Sequence, residues 1–154
     1  TILFFSSGPV YWTGVEPSKN QLGKPTIKFD EYFLGLQNTL DFLNNENRRT
    51  LYVTENPELS YPAASCLPRP LKESLPQRCS VTMKALKERQ GRYIKKLSQL
   101  NHVEIIDSLP AFCTLDGLCS PLDRNKKLLY ADSHHLSQIG SQRQFDEVIR
   151  PYFD

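Results

Sequence analysis

Hydrophobic and polar positions alternate along the chain in two distinct rhythms. Residues 1–5, Thr-Ile-Leu-Phe-Phe, form an unbroken apolar run rich in β-branched and aromatic side chains, the pattern of a strand buried on both faces. Ser6-Ser7-Gly8-Pro9 closes it as a loop. From Phe29 onward the apolar residues Tyr32, Phe33, Leu36, Leu40 and Leu43 recur at spacings of three and four, which predicts an amphipathic helix ended by Asn44-Asn45-Glu46-Asn47. Residues 50–54 read as a second strand stopped at Asn56-Pro57, since proline cannot continue a central ladder. A long loop then leads to about Cys79. Ser80 or Thr82 can cap a second helix whose buried stripe is Leu86, Tyr93, Ile94, Leu97 and Leu100, with Lys and Arg on its solvated side. Residues 103–107 make a third strand and residues 128–130 a short fourth one. Ser137 caps a last helix carrying Ile139, Phe145, Val148 and Ile149, which Pro151 should stop.

Strand, helix, strand, helix, strand is the order of right-handed βαβ units. It predicts an α/β fold with a parallel sheet between helices. Such a sheet carries its chemistry at the carboxyl ends of the strands, where residues 6–9, Asn56, Asp107 and Asp132 fall. The 154 residues, 39% hydrophobic, suit one domain over 1–154, and the eleven prolines call for long irregular connections. Nineteen basic against seventeen acidic residues, without a long run of one sign, give nothing for nucleic acid to bind. The longest apolar run, residues 2–5, is far short of the roughly 20 residues that span a bilayer. The chain starts inside a strand-like run without Met, which is read as a cut upstream of Thr1.

Cys66, Cys79, Cys113 and Cys119 form two sequence-local pairs with twelve and five intervening residues, too many for zinc hooks. Bridges Cys66–Cys79 and Cys113–Cys119 are expected, and with them an oxidising compartment. The alternative is a cytosolic domain with reduced thiols.

The chemistry concentrates in residues 129–140, Leu-Tyr-Ala-Asp-Ser-His-His-Leu-Ser-Gln-Ile-Gly. Asp132 stands three residues before His135, a spacing that in a tight turn lets the carboxylate take Nδ1–H and leaves Nε2 to accept a proton. Asp132 would orient, His135 would act as base and acid, and a serine from another strand end would complete an acyl-transfer triad. A metal set of Asp132, His134, His135 and His102 is the weaker reading, because adjacent histidines seldom face one ion. By pattern alone, a histidine that caps a helix or packs under a loop is the commoner outcome of Asp-x-x-His, and the position at a strand end of a parallel α/β chain is what favours catalysis.

Tyr130, Asp132, His135, Leu136, Ser137 and Gly140 reproduce a Tyr-x-Asp-x-x-His-Leu-Ser-x-x-Gly block that resembles the last block of SGNH-type esterases. The resemblance is strongest to the version fused behind membrane acyltransferases of family three, which O-acetylate bacterial surface polysaccharides. Residues 1–5 with Tyr11-Trp12, the loop of Pro57, Pro62 and Cys66, and Phe112-Cys113-Thr114 with Cys119 are similar to that branch as well. The resemblance implies a three-layer, flavodoxin-like sheet lacking its N-terminal strand or strands here, and a periplasmic domain of an inner-membrane protein. It also implies a serine acyl-enzyme mechanism, a polysaccharide acceptor, and partners in the upstream membrane acyltransferase domain and the missing N-terminal part of the same domain. No cofactor and no resident metal are called for. The family's Gly-Asp-Ser block is not found in the chain, so the nucleophile is expected upstream of Thr1 and the fragment alone is expected to be inactive. A companion segment is expected along the free edge of residues 1–5, where an uncovered strand edge would be unstable. In place of the usual oxyanion Gly and Asn stands Ser6-Ser7-Gly8-Pro9, which leaves the Gly8 amide as oxyanion candidate and Ser6 or Ser7 as remote nucleophile candidates. The competing functions are a carbohydrate esterase and a non-catalytic α/β glycan-binding module. A Gly or Ala at the upstream serine position would favour the binding module.

Overall fold

In the computed structural model, residues 1–5, 28–59, 61–67 and 79–154 are described. Among them the fold is mixed α/β, built on a three-stranded parallel sheet of β1 (Ile2–Phe5), β2 (Thr50–Val53) and β4 (Glu104–Ile106) in the order β1-β2-β4. Leu3 lies opposite Leu51, and Tyr52 opposite Ile105. Helix α1 (Lys28–Asn45) crosses from β1 to β2, and α2 (Met83–Leu97) precedes β4.

All four residues of β2 are buried, as the central position of that strand demands. In β1 the predicted burial on both faces is not met. Ile2, Leu3 and Phe4 are half-buried and Phe5 is exposed, because among the described residues β1 pairs on one side only.

The helices follow their apolar stripes. Phe29, Phe33, Leu36 and Leu40 of α1 and Tyr93 and Leu97 of α2 close over Tyr52 of the sheet. Thr82 caps α2 by accepting the Ala85 amide, as its side chain allows. Tyr32, Tyr52 and Tyr93 bring their hydroxyls together inside this cluster. Burial first, and then the neighbouring Tyr52 and Tyr32, push the Tyr93 hydroxyl far above an ordinary phenol, so the cluster is a neutral polar knot. On the other face Leu51, Val53 and Ile106 pack with Ile149.

Two further sequence expectations are corrected, and one element is added that the sequence did not announce. Residues 128–130 are not a strand: their burial comes from isolated bridges, Leu122 to Leu128 and Tyr130 to Leu136, within an irregular loop. A two-stranded antiparallel ladder of β3 (Val81–Thr82) and β5 (Leu118–Cys119), too short to leave a periodic signal, ties the start of α2 to that loop. The last helix, α3 (Gln138–Gln144), does not end at Pro151. It widens into a π turn (Phe145–Ile149) and then a 3₁₀ turn (Arg150–Tyr152) that takes Pro151 in its opening positions. Of the predicted stripe Ile139 and Phe145 are exposed while Ile149 is buried.

The disulfides form as paired in the sequence, Cys66 with Cys79 and Cys113 with Cys119, and among the described residues no cysteine is free. Among the described residues no helix is long and apolar enough to cross a membrane.

Candidate active site

The rim at the carboxyl ends of β2 and β4 is locked by two buried hydroxyl residues. The Ser108 amide donates to Thr54 Oγ1 (3.0 Å), the Ser108 hydroxyl donates to the Thr54 carbonyl, and the Thr54 amide reaches the Ile106 carbonyl (2.9 Å). Beyond this lock the chain leaves the sheet at residues 54–59 and again at residue 107.

The Asp132 turn is assembled just outside the rim. Its entry is fixed by packing: Leu129 and Tyr130 are buried with Leu59, Ala63, Ala111 and Phe112. The Tyr130 ring lies 5.8 Å from that of Phe112. Burial pushes the Tyr130 hydroxyl well above its ordinary pKa, with the Asn56 amide working against the shift and Glu55 adding to it; it remains a neutral packing group. The exit is fixed by α3. Ser137 accepts the Gly140 amide (3.2 Å) as N-cap, while its hydroxyl donates to the Leu128 carbonyl (2.7 Å) and its amide to the Leu129 carbonyl (2.9 Å). The Ala131 amide donates to the His135 carbonyl (2.8 Å), which closes the turn on itself.

Inside this frame Asp132 does what the three-residue spacing predicts. Its Oδ1 accepts the backbone amides of His134 and His135, both at 2.8 Å, and its Oδ2 lies 2.6 Å from His135 Nδ1. Partial desolvation opposes ionisation of the carboxyl. The His134 amide, the His135 ring and amide, and the nearby His134 outweigh it and hold Asp132 well below the usual carboxylate range. An ionised Asp132 fixes the proton of His135 on Nδ1 and directs the lone pair of Nε2 outward. The His135 side chain is 70% exposed and Asp132 is 46% exposed, so a substrate or another part of the protein has access to the ring.

His134 lies beside this pair. Its ring centroid is 4.0 Å from that of His135, and its Nδ1 meets the Ser133 hydroxyl at 3.1 Å. Asp132, His134 and His135 each offer one ligand atom, all within 4.8 Å of one another, so the geometry can accept a metal ion. Asp132 already accepts the His134 and His135 amides and contacts His135 Nδ1, with His134 Nδ1 farther off at 3.5 Å from its Oδ1. His102, the fourth candidate, lies elsewhere, 3.9 Å from Asp41. Asp107 accepts the Leu109 amide (3.0 Å) and borders a cavity of about 410 Å³ between α2 and β4, with Thr54, Gln90 and Ile105. Ser6, Ser7 and Gly8 lie outside the described residues.

Sequence reasoning placed Asn56 on the rim without a task and missed Glu58 and Arg89 altogether. Asn56 donates from Nδ2 to the His134 carbonyl (2.9 Å). Glu58, its side chain only 1% exposed, is ion-paired to Arg89 of α2. Nothing in the sequence sets Glu58 apart, since Thr54, Glu55, Asn56 and Ser60 make the whole loop start polar.

No curated protein matches the chain. Among solved structures it is similar to the periplasmic domain of a lipopolysaccharide acetyltransferase from Salmonella ser. Paratyphi A, with a TM-score of 0.56 and 16% identity, over 87% of this chain and 53% of that one. The chain thus spans about half the length of that structure, and at this identity the likeness speaks to the fold alone. The family model described as SGNH domain (fused to AT3 domains) matches residues 1–150. The chain therefore belongs to the SGNH domain family found fused to AT3 domains.

Proposed function

We propose that the chain is the acyl-handling part of a periplasmic domain that transfers acetyl groups to a cell-surface polysaccharide, with His135 as general base and acid and Asp132 as its orienting group. The observation that carries this reading is the 2.6 Å contact between Asp132 Oδ2 and His135 Nδ1, in a turn that leaves the far edge of the ring open. Support comes from membership of a family fused to AT3 domains and from a similar structure that is itself the periplasmic domain of a lipopolysaccharide acetyltransferase. The two disulfides agree with an oxidising compartment.

The nucleophile in this proposal is a serine supplied by sequence upstream of Thr1, on a segment that pairs along the edge of β1 that is unpaired among the described residues. His135 Nε2 takes the serine proton as its oxygen attacks the acyl carbonyl, and Asp132 stabilises the resulting imidazolium. The tetrahedral intermediate collapses, and Nε2–H gives the proton to the departing donor group. A sugar hydroxyl then gives its proton to Nε2 and attacks the acyl-serine, which releases the acetylated sugar and restores the serine. The Gly8 amide is the proposed oxyanion donor.

The test is turnover of p-nitrophenyl acetate by the full-length protein and its His135→Ala variant. A loss of about 10²- to 10⁴-fold is expected for removal of a general base, and unchanged turnover refutes the assignment. Hydrolysis is the second reading, favoured by the 70% exposure of the His135 side chain, since water reaches the ring as readily as a sugar does. Supplying an acceptor polysaccharide separates the two: transfer leaves acetyl on the sugar, whereas an esterase releases acetate only.

A further inference from the structure

The Asp132 turn exposes three consecutive backbone carbonyls on the side away from its own hydrogen bonds, and one segment captures all three. Asn56 Nδ2 donates to the His134 carbonyl (2.9 Å), the Leu59 amide to the Ser133 carbonyl (2.8 Å) and the Ala63 amide to the Asp132 carbonyl (3.1 Å). Residues 56–59 and 61–63 thus lie under the turn like a strap. Among these described residues there is no ladder, and the strap gains rigidity from its two ends and its middle. At one end it leaves buried β2, and at the other it enters the 3₁₀ turn Ala63–Cys66, which the Cys66–Cys79 bridge anchors.

In the middle stands the Glu58–Arg89 pair. Arg89 grips the Glu58 carboxylate with both Nε and Nη2, the second at 3.2 Å. With the Glu58 side chain 1% exposed and that of Arg89 16% exposed, the pair is shielded from water and from salt, unlike a surface ion pair. A guanidinium fork fixes direction as well as distance, so α2 determines where the strap runs. Through the strap it determines where the three carbonyls stand, and through the turn where the His135 ring points.

We infer that Asn56 and the Glu58–Arg89 pair are positioning residues for His135, holding the Asp132 turn by its backbone carbonyls. The bonds that define this role run to backbone carbonyls and between the pair, not to the ring. Their loss acts through geometry, and a misplacement of about 1 Å at a reacting group costs up to ~100-fold in rate.

The decisive measurement is the Nδ1-bound proton of His135, which the Asp132 contact should move to low field in proton NMR spectra of the full-length protein. Asn56→Ala is expected to broaden or abolish that signal while melting remains cooperative. Should Asn56→Ala fail to fold, the near-isosteric Asn56→Asp, which cannot donate to the carbonyl, takes its place with the same expectation. Arg89→Met is expected to weaken the signal, and Arg89→Lys to restore part of it. The inference rests on the acyl-handling reading only for a second arm, in the full-length protein, where kcat on p-nitrophenyl acetate should fall roughly ten- to a hundredfold in Asn56→Ala with KM unchanged. An unaltered Nδ1 proton in the Asn56 variants overturns the inference, as does a loss confined to KM. If the full-length protein turns over no ester, the acyl-handling reading fails while the NMR arm still decides the positioning role.

Discussion

Gly140 is the position where one methyl group should do the most damage. It lies in the first turn of α3 with ordinary helical backbone, so its lack of a side chain answers to space and not to a left-handed conformation. A Cβ built there runs into the Leu129 carbonyl oxygen and stands 2.9 Å from its carbon and 3.3 Å from its Cα. Carbon–carbon contacts become favourable only at about 3.5–4.0 Å and the carbonyl oxygen stands closer still, so the two backbones would have to part by more than about 1 Å. Neither side can yield alone: Leu129 is fully buried, and Ser137 bonds the same stretch through the Leu128 and Leu129 carbonyls. Overpacking against backbone costs about 1–3 kcal/mol, and strain on the Ser137 bonds adds about 1 kcal/mol, against a gain of at most about 1 kcal/mol from better helix propensity. A net loss of about 1–3 kcal/mol follows, which for a chain of this size lowers Tm by roughly 2–12 °C. Because the displaced backbone leads directly into Asp132, the His135 ring should move with it. Differential scanning calorimetry of Gly140→Ala, paired with the Nδ1 proton signal of His135, reads both effects. A variant as stable as the parent, with that signal intact, would refute the claim that the glycine exists for this close approach.

Two further outcomes follow from the charges at the site. Asp132→Asn keeps an oxygen for the two amides but loses the carboxylate that fixes the tautomer, so turnover should fall on the order of 10³- to 10⁴-fold in the full-length protein. Its stability should also converge on the parent's in acid: the depressed Asp132 pKa stabilises the fold fully above the unfolded value of about 4 and is lost as pH falls through the lower folded one. Thermal melts at pH 7 and in strong acid check this, and a gap that persists at low pH contradicts it. Arg89→Met leaves the Glu58 carboxylate buried without its bidentate partner and should cost about 3–5 kcal/mol by urea unfolding, whereas Glu58→Leu combined with Arg89→Met should cost clearly less.

The parts of the fold legible in the sequence are those that repeat. Leu36 and Leu40 of α1, and Tyr93 and Leu97 of α2, announce themselves by spacing, and the caps Thr82 and Ser137 by residue type. The Asp132–His135 contact was legible because both partners sit within one turn. What depends on distant pairing left no such trace. Leu128, Leu129 and Tyr130 look like a strand because they are apolar, yet bridges to Leu122 and Leu136 bury them in a loop. Gln90 occupies a polar helix position and is nevertheless buried, because it faces the rim and not solvent. Glu58 and Arg89 meet across a separation of 31 residues, and only the path of the strap brings them together.

The distribution of the staples follows from the same contrast. The parallel sheet and the helices over Tyr52 draw on repeating ladders and apolar stripes, and neither needs a crosslink. Residues 107–137 have only the two-residue β5, short turns and isolated bridges, and the crosslinks sit in such irregular segments: Cys113–Cys119 closes a loop within 107–137, and Cys66–Cys79 ties the end of the strap to the approach of α2. Closing loops of these lengths stabilises by about 2–3 kcal/mol each in the chain-entropy view. Reduction should therefore loosen the turn before the sheet. Under thiol reductant at constant temperature, hydrogen exchange should accelerate at the amides of Leu59, Ala63, Ala131 and Ser137, while those of Leu51 and Val53 in the central strand keep their protection. Exchange that rises equally in β2 and in the turn would mean that the Asp132 turn and the sheet unfold as one unit, and the staples would then serve the whole fold and not the turn.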